Sequence, residues 1–262
     1  MVQQTAFSEI PLPSRSEKPR TNGLTMMIDW GLPLGHQADV LETASDYIDM
    51  AKVAATIPGL LSEKVLKKKL ATYAEAGIST SQGGLFTEYA YVQNKVEALF
   101  AEIARLGFTA VEISDNLLNW SLEEKRQTIR TATEDFGLKV LGEVGRKEGL
   151  MTDDEIIADL EVCFEADVAA VFIEAYELFS NDQIRGELIA EIAKRFPVEK
   201  IIYELPVDVL PGVTREFKHK VCSWMVAEFG SDVNLANVEW HEVLFTEMVR
   251  RKAGDNIEVP GT

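Results

Sequence analysis

Cysteine and histidine are scarce, with two of the former and three of the latter in 262 residues. Cys163 and Cys222 stand far apart with no metal-type spacing. That excludes a disulfide scaffold, and two reduced thiols in a cytoplasmic protein are the expected state. His36, His219 and His241 form no H-x-H or H-E-x-x-H pattern, which sets a zinc site aside. Basic residues are few as well, 26 against 43 acidic ones, for a formal net charge of −17. A chain of that sign offers no positive field to nucleic acid or to an anionic membrane surface. Uninterrupted apolar runs fall well short of the ~20 residues that cross a bilayer. The start, Met1–Glu9, lacks the basic and apolar pattern of a secretory leader.

The apolar share of 46% is that of a globular core rather than of a disordered chain. Helix-like stretches end on a turn residue and an apolar run follows at once. Gly77, Gly107 and Gly137 stand thirty residues apart, with Asp167 and Pro197 continuing the beat and Gly230 near its end. Gly at such a position supplies the left-handed backbone that closes a helix, and Asp is an occasional substitute. About thirty residues is the length of one strand–helix unit in a parallel sheet. The predicted strands are 24–30, 48–54, 78–82, 109–115, 139–145, 168–175, 200–205 and 233–238. Between them lie amphipathic stretches such as Glu63–Ala76, Lys95–Leu106, Leu122–Phe136 and Glu187–Arg195.

Eight such units fit a (β/α)8 TIM barrel over residues 24–254. An irregular arm at 1–23 would precede it and a polar tail at 255–262 would follow, each either frayed or used at an interface. The competing doubly wound sheet would carry a Gly-rich dinucleotide turn after its first strand, where this chain has Trp30-Gly31-Leu32-Pro33.

Barrel chemistry sits at the carboxyl ends of the strands. Those ends offer Asp29, Lys52, Glu112 with Ser114 and Asp115, Glu143, Glu174, Glu204, and Asn234 with Asn237. A lone carboxylate in an apolar run is costly to bury unless it is paired or bound to a cation. One of them alone is as readily a structural ion pair. Repeated in successive units, they predict a hard oxygen site for Mg²⁺, with Glu143, Glu174 and Glu204 as ligands and Asp29 and Glu112 as alternatives. Such an ion would let an acidic chain receive a small anionic substrate.

Lys52 is expected either to pair with a glutamate or to act on substrate. Arg146 and Lys147 follow the fifth strand, where a basic pair is either solvated surface or suited to anion binding and proton transfer. Gly83-Gly84 lets backbone N–H groups approach an anion or forms a plain turn.

At these residues the sequence resembles the phosphosulfolactate synthase family of coenzyme M biosynthesis. The matching pieces run from Lys18-Pro19-Arg20-x-x-Gly23 and Ile28-Asp29-x-Gly31-x-Pro33 through Ser45-Asp46-Tyr47-Ile48-Asp49 to Lys52. They continue with Gly83-Gly84 and Glu88-Tyr89-Ala90-Tyr91, Val111-Glu112-Ile113-Ser114, Glu143-Val144-Gly145-x-Lys147, Ile173-Glu174-Ala175, and Val233-Asn234-Leu235-Ala236-Asn237.

The resemblance implies a (β/α)8 barrel, a homo-oligomer, and Mg²⁺-dependent addition of sulfite to phosphoenolpyruvate, with Lys147 delivering a proton. Arg146, Gly83, Gly84, Asn234, Asn237 and Tyr176 are the expected substrate-binding residues. The sequence departs from the family pattern at Val53–Pro58, which lacks the family's glycines, and at Tyr176, which stands where the family carries Arg. These changes favour an altered anion-binding loop set. The plant heat-stress-associated relatives supply the alternative, a barrel that has lost turnover and acts as a stress-related or protein-interaction protein.

Overall fold

The computed structural model describes residues 6–254, apart from 115, 119, 147–149, 181, 182, 208, 210 and 211. Eight parallel strands form the barrel: β1 (Thr25–Asp29), β2 (Met50–Val53), β3 (Ser79–Gln82), β4 (Ala110–Ile113), β5 (Lys139–Val144), β6 (Ala170–Glu174), β9 (Ile201–Glu204) and β10 (Leu235–Glu239). Two further strands, β7 (Phe179–Ser180) and β8 (Gln183–Ile184), make a small antiparallel hairpin after β6. The hydrogen-bonded order is β3-β2-β1-β10-β9-β6-β5-β4.

Between β3 and β4 the barrel is nearly closed, and side chains bridge the gap. The Thr109 N–H donates to Thr80 O at 3.0 Å, while the Thr109 hydroxyl accepts from Thr80 N at 2.6 Å. Higher up, the Gln82 amide donates to Glu112 O at 3.0 Å.

The helices are α1 (Leu34–Ala44), α2 (Glu63–Glu75), α3 (Gly84–Val92), α4 (Val96–Leu106), α5 (Leu122–Arg130), α6 (Asp153–Glu165), α7 (Gly186–Arg195), α8 (Arg215–Phe229) and α9 (Val243–Arg250). Their starts are written in the sequence. Ser121 and Thr152 form capping boxes with Glu124 and Glu155, each satisfying N–H groups that a first turn leaves open. The predicted turn residues close the helices. Gly107 has φ +94°, and Asp167 adopts φ +61° where the three units before it place Gly77, Gly107 and Gly137.

Strand alternation divides the side chains into two cores. Outward residues such as Met27, Val111, Val144, Ile173 and Tyr203 pack against the helices. Inward, Met26, Ala110, Leu141, Phe172, Ile202 and Ala236 fill the barrel as an apolar layer. This layer is the floor of the mouth.

The amino-terminal arm lies against the opposite end of the barrel. Arg15 donates to the carbonyls of Ser231 and Gly23 at 3.0 and 2.9 Å, and Lys18 donates to Ile48 O at 2.7 Å. Buried Arg250, in α9, donates to Ser231 O and Val233 O there as well. Burial and the nearby Arg15 bring its pKa down to about 10. The tail at 255–262 lies outside the described residues.

Candidate active site at the barrel mouth

On β2, β4, β5, β6 and β9 the inward position directly above the apolar floor carries a charged group, whereas β1 places Ile28 there. Two residues beyond Ala110, Leu141 and Ile202 on their strands stand Glu112, Glu143 and Glu204. All three are buried, and one oxygen from each lies within 4.8 Å of the others. Lys52, inward on β2, stands among them. Its ammonium lies 3.1 Å from Glu112 Oε2, donates to Glu204 Oε1, and sits 4.8 Å above the Phe172 ring. Burial opposes the charge on Lys52, yet Glu112, Glu204 and Glu143 together raise its pKa above that of an ordinary lysine. Burial raises the pKa of Glu112, with Lys52 opposing the shift. Lys52 is thus an ion-pair partner inside the site.

The predicted residues divide by position. Glu174 is not one of the trio: it pairs in register with Glu204 across β6–β9, yet lies two residues beyond the level of Glu143 in the β5–β6 register. Glu112, the expected alternative, takes its place in the cluster. Asp29 faces the helices: it accepts from Lys69 Nζ at 2.6 Å, Tyr73 OH at 2.7 Å, and the N–H groups of Gly31 and Leu32 at 2.8 and 2.7 Å. Burial and Asp29 raise the pKa of Tyr73 well above a free phenol's. These contacts make Asp29 an anchor of the β1–α1 loop and place it outside the carboxylate cluster.

Asn234 lies below β10, where it accepts from Leu24 N at 2.9 Å and donates to Ile201 O at 2.9 Å, so it ties strand starts together away from the mouth. Asn237 does reach the mouth. The β1–β10 register slips by one residue there, and Asn237 adopts φ +58°. This bulge turns inward a side chain that strict alternation would send to the helices.

Arg146 points outward, half-exposed, with its guanidinium 3.3 Å from Glu155. Tyr176 stands on the rim, stacked on Phe217 with ring centres 6.0 Å apart. Burial and then Glu174 raise its pKa. Lys147 and Asp115 lie outside the described residues.

Gly83 and Gly84 begin α3 at the mouth, and both need the absence of a side chain. A Cβ on Gly83 would lie 2.4 Å from Ala55 N, and one on Gly84 would lie 2.4 Å from Ser114 Oγ. That close approach lets Gly84 N donate to Glu112 Oε1 at 2.6 Å.

Three residues at the site went unnoticed in the sequence. Asn116 donates from its amide to Glu143 Oε1 at 2.5 Å. Glu88, buried on α3, accepts from the loop that carries Asn116. Glu177 accepts from Arg146 N and Met151 N, at the two ends of the β5–α6 loop, at 3.0 and 3.1 Å. Glu88 lies in a piece matched to the family and Glu177 just past another, beside the departure at Tyr176, but only contacts between distant segments show what they hold.

The donors at the mouth suit a hard divalent cation. They are all oxygen, and the buried Oδ1 atoms of Asn116 and Asn237 accept no hydrogen bond among the described residues. Glu112, Glu143 and Glu204 are the residues that could hold such an ion, with Lys52 offsetting part of their charge.

Over most of its length the chain is similar to known proteins. The profile of the (2R)-phospho-3-sulfolactate synthase family matches residues 13–255. The phosphosulfolactate synthase of Methanocaldococcus jannaschii is 34% identical over 240 residues, covering 87% of this chain and 91% of that enzyme. Its counterpart in Methanothermobacter thermautotrophicus is 32% identical over 251 residues, covering 91% and 92%. Among solved structures, dihydrodipicolinate synthase from Agrobacterium tumefaciens shares the fold, with a TM-score of 0.56 at 11% identity over 90% of this chain and 76% of that one. A barrel with a buried carboxylate cluster at its mouth, matched over nearly its whole length, belongs to the phosphosulfolactate synthase family of enzymes.

Proposed function

We propose that this chain adds sulfite to phosphoenolpyruvate to give phosphosulfolactate, with Mg²⁺ at Glu112, Glu143 and Glu204. The observation that carries the reading is the meeting of these three carboxylates around Lys52 at the mouth of a barrel of this family. In the reaction the sulfur lone pair of sulfite forms a bond to C3 of phosphoenolpyruvate. The C2=C3 electron pair moves onto C2 and the adjoining carboxylate, and a proton then reaches C2. The barrier lies in the charge that builds on that carboxylate. A bound divalent ion supplies positive charge against it.

The chain's own groups do the rest. The Lys52 ammonium, held charged by its glutamates, orients the substrate anion from the floor. The start of α3 turns the positive end of a helix toward the mouth, where Gly84 N donates to Glu112. Asn237 offers a hydrogen-bonding amide from the opposite wall. Lys147, as the basic residue following Glu143-Val144-Gly145, is the proposed proton donor.

Phosphorus NMR and mass spectrometry of phosphoenolpyruvate, sulfite and Mg²⁺ with the protein test this reading. A new phosphorylated sulfonate is expected, its formation stopped by EDTA. Glu143→Gln should slow it by roughly a hundredfold or more, the scale of losing a group that stabilises transition-state charge. Unchanged phosphoenolpyruvate under all these conditions would overturn the assignment.

A further inference from the structure

Glu88 is a fully built acceptor that the proposed chemistry does not use. It is 3% exposed and sits on α3, one turn beyond Gly84. Its Oε1 accepts from the Ser114 hydroxyl at 2.5 Å and from Asn116 N at 3.1 Å. Its Oε2 accepts from Leu117 N at 2.9 Å and Leu118 N at 3.0 Å. A single carboxylate thereby gathers successive donors of the β4–α5 loop, whose described residues 116–118 lie in no helix or strand that would satisfy their N–H groups. The loop ends up holding Asn116 against Glu143, with the 2.5 Å contact from its amide to Oε1. The same amide leaves its Oδ1 buried and without a hydrogen bond among the described residues.

We infer that Asn116 belongs to the active site, orienting the Glu143 carboxylate, and that Glu88 is the positioning residue that places Asn116 there. A carboxylate ligand whose second oxygen is fixed by an amide loses rotational freedom, so the oxygen facing the cluster is presented in one geometry. Glu88 also links two carboxylates of the site. Helix α3 touches Glu112 directly through Gly84 N and reaches Glu143 through Glu88 and Asn116. One nine-residue helix therefore sets two of the three clustered carboxylates.

The part of this inference that concerns cation affinity rests on the metal reading above, so the test has one arm without metal. In protein labelled with ¹⁵N-asparagine, the Asn116 side-chain cross-peak should be displaced by its short bond to Glu143. Glu143→Gln identifies it by moving it. Glu88→Gln should move the same peak in the same sense and speed hydrogen exchange at the Leu117 and Leu118 amides by about tenfold or more. Ser114→Ala removes only one of the bonds to Glu88 and serves as the milder variant should Glu88→Gln fail to fold.

In the second arm, titration with Mn²⁺ should show affinity lowered about tenfold or more by Glu88→Gln and by Asn116→Ala. The double variant should be no weaker than Asn116→Ala alone, because both act along one path. An unmoved Asn116 peak with unchanged amide exchange in Glu88→Gln, or in Ser114→Ala where that is the variant that folds, would overturn the inference. An absence of Mn²⁺ binding to the unaltered protein would overturn the metal reading, and the NMR arm would still decide the role of Glu88.

Discussion

Asp29 and Glu112 are buried carboxylates near the ends of barrel strands, and one step of strand parity separates their roles. Asp29 follows inward Ile28 and so meets Lys69 and Tyr73 of α2. Glu112 follows outward Val111 and so meets Lys52 and Glu204 inside the barrel. Gly84 matters on the same scale, because its missing side chain brings a backbone N–H within 2.6 Å of Glu112. Gly84→Ala would drive a Cβ to 2.4 Å from Ser114 Oγ and 2.6 Å from Ser114 Cβ, with Glu112 Oε1 at 3.2 Å. Overpacking of this kind costs about 1–3 kcal/mol. Urea unfolding of Gly84→Ala should show that loss, and Mn²⁺ titration should show weakened binding through the displaced Glu112. Unchanged stability and affinity would mean that the close approach is not needed.

Among the elements, the pairing of β3 with β4 is the least regular. Beside the backbone bond from Thr109 N to Thr80 O, the Thr109 hydroxyl accepts from Thr80 N at 2.6 Å and donates to Thr80 O at 2.9 Å. Thr109→Val keeps the shape and removes both hydroxyl bonds. The Thr80 N–H, part-buried, loses its acceptor, which costs about 1–3 kcal/mol. The expected result is a lower urea midpoint with the Thr80 amide exchanging faster than its neighbours on β2 and β3. Equal protection across the seam would show that water replaces the hydroxyl without cost.

Helix α3 lies directly above this seam. Its sequence, Gly84-Leu-Phe-Thr-Glu-Tyr-Ala-Tyr-Val92, has one charge and no polar face, and it opens on two glycines that read as a turn. Tertiary packing stabilises the helix: Thr87, Glu88 and Ala90 are buried against the barrel and the β4–α5 loop. The strand beat was legible because every unit repeats it. This helix occurs once and has no such pattern to betray it.

Across the whole molecule, the amino-terminal arm closes the end of the barrel opposite the site. Arg15 is buried, donating to the carbonyls of Gly23 and Ser231. Its contact with half-exposed Asp232 is screened by water and contributes little. The charged bonds to buried carbonyls contribute more, and Arg15→Ala should lower stability by about 1.5–3 kcal/mol. The mouth lies at the far end, so kcat should be unchanged at temperatures where the variant is folded. A fall in kcat without loss of stability would contradict this separation of ends.

Charge is distributed on the same scale. Much of the −17 is solvated surface, but a share of the acid groups is internal, with Asp29, Glu88 and Glu177 bonding the loops that frame the mouth.

By itself the sequence determined the eight-strand period, the helix ends at Gly107 and Asp167, and the gathering of Lys52 and several glutamates at strand ends. Those features are local, because a strand pattern, a cap or a lone charge in an apolar run can be read within a few residues. Only the tertiary structure decided which carboxylates meet. Glu174 fell outside the trio even though it pairs in register with Glu204, and strand parity turned Asp29 away. The bulge in β10 brought Asn237 in, and a contact from α3 across to the β4–α5 loop placed Asn116 on Glu143. Register, parity and loop docking depend on strands and helices that are distant in the chain, and no stretch of the sequence carries them alone.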